Sequence, residues 1–167
     1  MTRLLSLSLL LASGLVASGA ASTASAQDGR PLRSADLVEW NARVSAGDEK
    51  GNADYVISGT VADGWRIYAI GSESGLPTRV TMGRLPAGVT ARGPIRQSRP
   101  RQATDAALGE PYTYHAGSFR FAQPLRVTRE ATGRHRVSSQ IRFAVCNDRV
   151  CLPPTTVDLR ATLSVSD

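Results

Sequence analysis

The sequence predicts an all-β fold, a sandwich of antiparallel sheets, and three observations lead there. Apolar residues recur at a period of two in several separate stretches, turn residues divide those stretches at short spacing, and no stretch shows the 3.6-residue period of an amphipathic helix. Short alternating strands at such spacing bury one face each, and two sheets packed face to face satisfy them. No internal repeat interrupts the pattern.

Residues 1–26 stand apart from it. Arg3 supplies a positive start, Leu4 to Val16 is apolar and leucine-rich, and Ala24-Ser25-Ala26 forms a small-residue cleavage site before Gln27. This is the pattern of a cleaved secretory signal peptide, too short for a good transmembrane span. No cysteine lies near the cleavage point for lipid attachment. The expected mature chain is soluble, exported to an oxidising compartment, and is not inserted in the membrane. Residues 27–36 are polar and read as a flexible lead-in, and 37–167 as one domain, long enough for a single core.

The first strand follows from Val38, Trp40, Ala42 and Val44 alternating with Glu39, Asn41, Arg43 and Ser45. A charged turn over 47–52 leads into Tyr55, Ile57, Gly59 and Val61. Asp63-Gly64 is a tight-turn signal that returns the chain through Trp65, Ile67 and Ala69. A short strand around Val80 and Met82 ends at the Leu85-Pro86-Ala87-Gly88 turn. Residues 91–118 combine prolines and glycines with little periodicity and read as one long loop, the kind that often carries function. Phe119 and Phe121 open the next strand, which runs toward Val127. After Gly133, residues Val137, Ile141, Phe143 and Val145 share a face, with Ser139 its weak member. The last strand is the cleanest: Val157, Leu159, Ala161, Leu163 and Val165 against Thr156, Asp158, Arg160, Thr162 and Ser164. Trp40, Ile57, Phe143, Leu159 and Leu163 are expected to face inward.

Between the last two strands lie the only cysteines, Cys146 and Cys151, with Pro153 and Pro154 just beyond. Both prolines lack an N–H, so ladder pairing cannot resume before Thr155. A structural disulfide is the usual reading of such a pair in an exported protein. It would stabilise weakly, because a loop this short is worth only roughly 2 kcal/mol in the chain-entropy model. Two cysteines without a nearby His or carboxylate cluster make half of a zinc shell, so no metal site is expected. The residues alone leave the structural and the redox-active readings open.

The run Val145-Cys146-Asn147-Asp148-Arg149-Val150-Cys151-Leu152-Pro153-Pro154 resembles the signature of the N-terminal periplasmic domain of the DsbD family of thiol:disulfide interchange proteins. Upstream, Asp63-Gly64-Trp65-Arg66-Ile67-Tyr68 with Gly75-Leu76-Pro77-Thr78 is similar to a second stretch of that family. The resemblance covers roughly Leu37 to Val165 and implies an immunoglobulin-like β-sandwich whose two cysteines exchange disulfides. It assigns attack to Cys151 and resolution to Cys146. It also implies a cap loop over the pair, which aligns with residues 105–109. Asp105 and Gly109 match, but alanines replace the family's second acidic residue and its shielding Phe, and the cysteine spacing is one residue shorter. Leu108, Tyr112 or Tyr114 would then do the shielding, with Tyr68, Asp148 and Pro153 in support. The partners implied are thioredoxin-like periplasmic proteins and a separate membrane electron carrier, in a setting such as cytochrome c biogenesis. The chain itself holds neither a transmembrane carrier nor a thioredoxin-like module.

Other readings are thinner. The formal net charge is +6, but the arginines are scattered and no basic run interleaves with aromatics, so nucleic acid is not expected. His115 and His135 read as surface residues with no triad pattern around them. Glu110, Asp105 and Asp148 could carry protons near the thiols, but each reads first as a solvated loop carboxylate. Phosphate loops and dinucleotide fingerprints are absent, and no cofactor is called for. Two alternatives remain in other classes: a binding or scaffold module with a structural disulfide, and a copper(I) metallochaperone using both thiols, the latter with only two Met in the chain.

Overall fold

Alternation in the sequence becomes pairing in the structure, a computed structural model that describes residues 30–45, 48, 51–105 and 109–166. The chain divides into Met1–Arg30 and Pro31–Asp167, and the second unit is the one described below. The expected signal peptide and the first residues of the expected lead-in fall outside the described residues.

One antiparallel sheet runs in the order β1 (Val38–Val44), β2 (Asn52–Val61), β9 (Ser118–Val127), β5 (Val89–Ala91), with β6 (Arg96–Gln97) also on β9. A second has the order β12 (Thr155–Val165), β10 (Gly133–Phe143), β4 (Arg79–Met82). The third is β11 (Val145–Cys146), β3 (Arg66–Tyr68), β8 (Pro111–His115), β7 (Arg101–Thr104). Every pairing is antiparallel. The all-β, antiparallel class read from the sequence is the class observed. The described helices are two short 3-10 turns, Ser34–Leu37 and Arg129–Ala131, and no described helix is long and apolar enough to cross a membrane.

Side chains from all three sheets meet in one core. Tyr55, Ile57 and Val61 of β2, Phe119, Phe121 and Leu125 of β9, Val137, Ile141 and Phe143 of β10, Ile67 of β3 and Val145 of β11 are buried there. Trp40 lies edge-on to Phe119 and Phe143, with centroids 5.3 and 5.1 Å away. Of the residues expected inside, Ile57, Phe143 and Leu163 are buried, while Trp40 and Leu159 pack partly buried against the same cluster. Ser139, the polar member of the buried face of β10, is explained by Tyr55: the two hydroxyls lie 3.1 Å apart across the core. Each supplies the partner that a buried polar group needs.

Two expectations change. Residues 91–118 are not one long loop: three short strands, β6, β7 and β8, divide the stretch between β5 and β9. Strands of two to five residues are too short to show a period. β5 and β6 are successive pieces of one edge along β9, broken at Arg92, whose N–H reaches the Pro124 carbonyl at 2.8 Å. Pro124 has no N–H to return on that side, which accounts for the break. The expected lead-in also ends earlier. Ser34 is fully buried within the first 3-10 turn, so residues 34–36 are anchored.

Candidate functional site

The cysteine hairpin begins where β10 loses its partners. Phe143 still pairs with Thr155 on β12, but Val145 and Cys146 pair instead with Ile67 and Arg66 on β3. Phe143, Ala144, Val145 and Cys146 are buried one after another, because the chain changes sheets at Ala144 and the alternation breaks there. Past Cys146 the chain reverses over Asn147 to Val150. The Asn147 N–H donates to the Val150 carbonyl and the Leu152 N–H to the Val145 carbonyl, both at 2.9 Å. Cys146 and Cys151 are therefore opposed as an antiparallel bridge between two hydrogen-bonded steps, with Cα atoms 4.0 Å apart, and are joined as a disulfide. Non-hydrogen-bonded antiparallel pairs are the close kind, near 4.5 Å, so the hairpin itself brings the thiols together.

Side chains build the turn. The Asn147 Oδ1 accepts from the Arg149 and Val150 N–H groups at 2.8 and 2.9 Å, an Asx turn in which the side chain replaces the backbone acceptor. The Asn147 main-chain carbonyl is left to accept from Arg66 Nη2 at 3.1 Å, and Arg66 Nη1 donates to Asp148 at 2.7 Å. Ser34 anchors the base of the hairpin: its hydroxyl donates to the Pro153 carbonyl at 2.9 Å and accepts from the Val145 N–H at 3.1 Å. Pairing resumes at Thr155, as the two prolines require.

The two cysteines differ in exposure. Cys146 is 1 % exposed, whereas Cys151 lies on the surface.

The two upstream motifs converge on Tyr68. Its carbonyl accepts from the Thr78 hydroxyl at 2.6 Å and the Thr78 N–H at 3.3 Å. Gly75, at φ +81°, lies so close to the Tyr68 ring that a Cβ there would meet it at 2.3 Å. No other residue tolerates both that backbone angle and that contact. Tyr68 stacks edge-on to Tyr112 at 5.4 Å, Tyr112 lies 5.7 Å from Tyr114, and the Arg66 guanidinium sits 5.7 and 5.9 Å from the Tyr112 and Tyr114 rings. Burial pushes the Tyr68 hydroxyl pKa up, with Arg66 opposing and Tyr112 and Asp105 adding to it. Burial alone would depress the Arg66 guanidinium, but its bond to Asp148, with Tyr112 and Tyr68 nearby, holds it above its ordinary value.

Tyr68, Tyr112 and Tyr114 thus form one cluster, joined to Asp148 on the hairpin through Arg66. Asp105 opens the β7–β8 connection, its N–H donating to the Glu110 carbonyl and its carbonyl accepting from Gly109, both at 2.8 Å. Leu108 lies outside the described residues. Pro153 contributes its carbonyl to Ser34. His115 is a correction: it is 4 % exposed, stacked on Phe119 with centroids 5.1 Å apart, and bonded through Nε2 to Gln97 at 3.0 Å. Desolvation lowers its pKa. His135 is only partly covered, 3.3 Å from the Thr132 carbonyl. No group of three or more metal-ligating side chains gathers among the described residues. Sequence reasoning missed Ser34 and Arg66, and the one available signal was that Arg66 lies inside the Trp65–Tyr68 motif.

No family model matches the sequence, and no curated protein matches it. Among solved structures, the chain is similar to the N-terminal periplasmic domain of ScsB from Proteus mirabilis, with 16 % identity and a TM-score of 0.46 over 74 % of this chain and 44 % of that one. It is also similar to the DsbD N-terminal domain of Neisseria meningitidis in its reduced form, with 16 % identity and a TM-score of 0.43 over 81 % and 91 %. A third is AggA, the major subunit of aggregative adherence fimbriae type I from Escherichia coli, with 9 % identity and a TM-score of 0.33 over 76 % and 93 %. The chain spans less than half of the ScsB domain structure.

Proposed function

We propose that the protein carries out thiol–disulfide exchange through Cys146 and Cys151, with Cys151 as the sulfur that partners meet. The observation that carries this reading is the unequal exposure of two disulfide-bonded cysteines in one short hairpin, Cys146 buried and Cys151 exposed. A partner thiolate attacks the exposed Cys151 sulfur, the Cys146–Cys151 bond breaks, and Cys146 leaves as a thiolate that takes up a proton. In the other direction the Cys151 thiolate attacks a partner disulfide, and Cys146 then displaces the partner from the mixed disulfide. Both directions pass through the same intermediate on Cys151, which is what its access favours.

The Cys-Leu-Pro-Pro resemblance supports the same roles, and with them thioredoxin-like partners and a separate membrane carrier as electron source. The signal-peptide pattern and the disulfide together favour the periplasm. On this reading Asp105 and the cluster of Tyr68, Tyr112 and Tyr114 shield the buried Cys146 side of the pair and leave Cys151 open, and Asp148 is held in place by Arg66. The test is to express Cys146→Ala and Cys151→Ala with the leader intact and to look for DTT-sensitive adducts on non-reducing gels. Cys146→Ala should trap long-lived mixed disulfides and Cys151→Ala far fewer. Adducts from Cys151→Ala alone would reverse the roles, and adducts from neither would make the disulfide structural.

A further inference from the structure

Two arginines lie beside the hairpin without a reason in the fold. Arg79 of β4 and Arg142 of β10 are direct cross-strand partners, and both are exposed. Like charges placed opposite each other weaken a sheet. No carboxylate among the described residues pairs with either one. The rest of that sheet face adds to the charge: Arg134, Arg136 and Arg160 are also exposed. Asp158, the one carboxylate among its strand residues, is taken by Gln140 at 3.0 Å.

The arginine pair borders a groove of about 200 Å³, lined also by Leu76, Pro77, Phe143 and Pro154. Leu76 is 41 % exposed, a large apolar side chain left at the surface. Pro154 lies three residues after Cys151, so at most roughly 10 Å of chain separates the groove from the exposed sulfur. Cationic, partly apolar and within reach of the disulfide, the groove suits one kind of occupant.

We propose that it docks an acidic segment of the protein whose disulfide or thiol reacts at Cys151. A carboxylate of that segment accepts from both guanidinium groups, relieving their repulsion, and an apolar neighbour rests on Leu76 and Pro154. This specificity rests on the exchange reading above, and its test separates the two.

The reagents are pre-reduced protein and short peptides with one intramolecular disulfide, flanked by Asp-Leu-Glu or by Lys-Leu-Lys. In a single turnover the protein's two thiols become its disulfide and the peptide's disulfide becomes two thiols, so no other reductant enters. The acidic peptide should react about tenfold faster at low salt, with the advantage shrinking as salt rises. Arg79→Gln/Arg142→Gln should erase most of that advantage while leaving the reaction with neutral hydroxyethyl disulfide unchanged. Arg134→Gln/Arg136→Gln removes equal charge roughly 20 Å up the strand and should leave the advantage in place. Equal rates for the two peptides, or equal losses in the two double variants, would overturn the groove. Binding of the acidic peptide with both cysteines replaced by serine, followed by fluorescence anisotropy, reads the groove even if no exchange occurs. Binding that weakens about tenfold in Arg79→Gln/Arg142→Gln supports it. Absence of binding overturns it, as does Arg79- and Arg142-dependent capture by phosphatidylglycerol vesicles without peptide binding, which would point to a membrane surface.

Discussion

The β10–β12 ladder pairs residue for residue from Gly133 with Val165 to Phe143 with Thr155, whereas β11 pairs with β3 at only two positions. The long ladders have backbone hydrogen bonds to spare, and their side chains need only be apolar on one face. The cysteine-bearing sheet has few such bonds, and polar side chains replace them: Ser34 beneath the hairpin, Asn147 within the turn, Arg66 across it and Thr78 against Tyr68. Regions with short ladders and exposed hydrogen bonds open at lower free energy than the global fold. That is where a disulfide must sit if it is to be reached, broken and remade.

Breaking the long-ladder side should have the largest effect. Phe121 is fully buried and touches Trp40, His115 and Phe119. Phe121→Ala should cost about 3–5 kcal/mol in denaturant unfolding, with no change in how fast Cys151 of the reduced native protein is alkylated.

Ser34→Ala should divide the two regions more sharply. It leaves the buried Val145 N–H without its acceptor, at a cost of about 1–3 kcal/mol. The loss should show in amide hydrogen exchange as faster exchange at Val145 and Leu152, while Ile57 and Phe121 keep their order relative to each other. Uniform acceleration across both regions would mean that the hairpin and the sandwich open together.

Reduction of the disulfide should do less. The closed loop is so short that its loss is worth no more than about 2 kcal/mol, and the reduced protein should keep its β-sheet circular dichroism at room temperature. Cooperative unfolding on reduction would make the hairpin part of the sandwich's stability.

The smallest effect is one of pH. His115 sits where the two regions meet, on β8 and against Phe119 of β9. Its native pKa is lowered by burial. Below about pH 6.5, the ordinary histidine value, the unfolded chain takes up a proton that the native state resists. Stability is therefore whole above that value, falls as the pH drops through it, and levels off below the lowered native pKa. His115→Gln should melt at a lower temperature but lose this dependence between pH 7.5 and 5.5.

The same contrast decides what was legible in the sequence. β1, β2, β9, β10 and β12 are long enough to show a period of two, so their existence and buried faces could be read directly, and the paired prolines marked the start of β12. The cysteines could be read as a pair because the hairpin that joins them is local. Ser34 and Arg66 could not. Ser34 meets Val145 from 111 residues away, and Arg66 meets Asp148 from 82, with no local pattern to announce either contact. His115 escaped for a related reason: burial along β8 does not alternate, so nothing nearby marked it as internal. The strands between 91 and 118 carry too few residues for periodicity and exist because β9 offers an edge to β6, β3 to β8, and β8 in turn to β7.

The reduction potential of the Cys146–Cys151 pair tests the account most directly. Equilibration of the purified protein with graded dithiothreitol ratios, read by thiol alkylation and mass, should give a value within the range of exchange proteins, roughly −120 to −270 mV. A potential below about −300 mV, the region of structural disulfides, would contradict it.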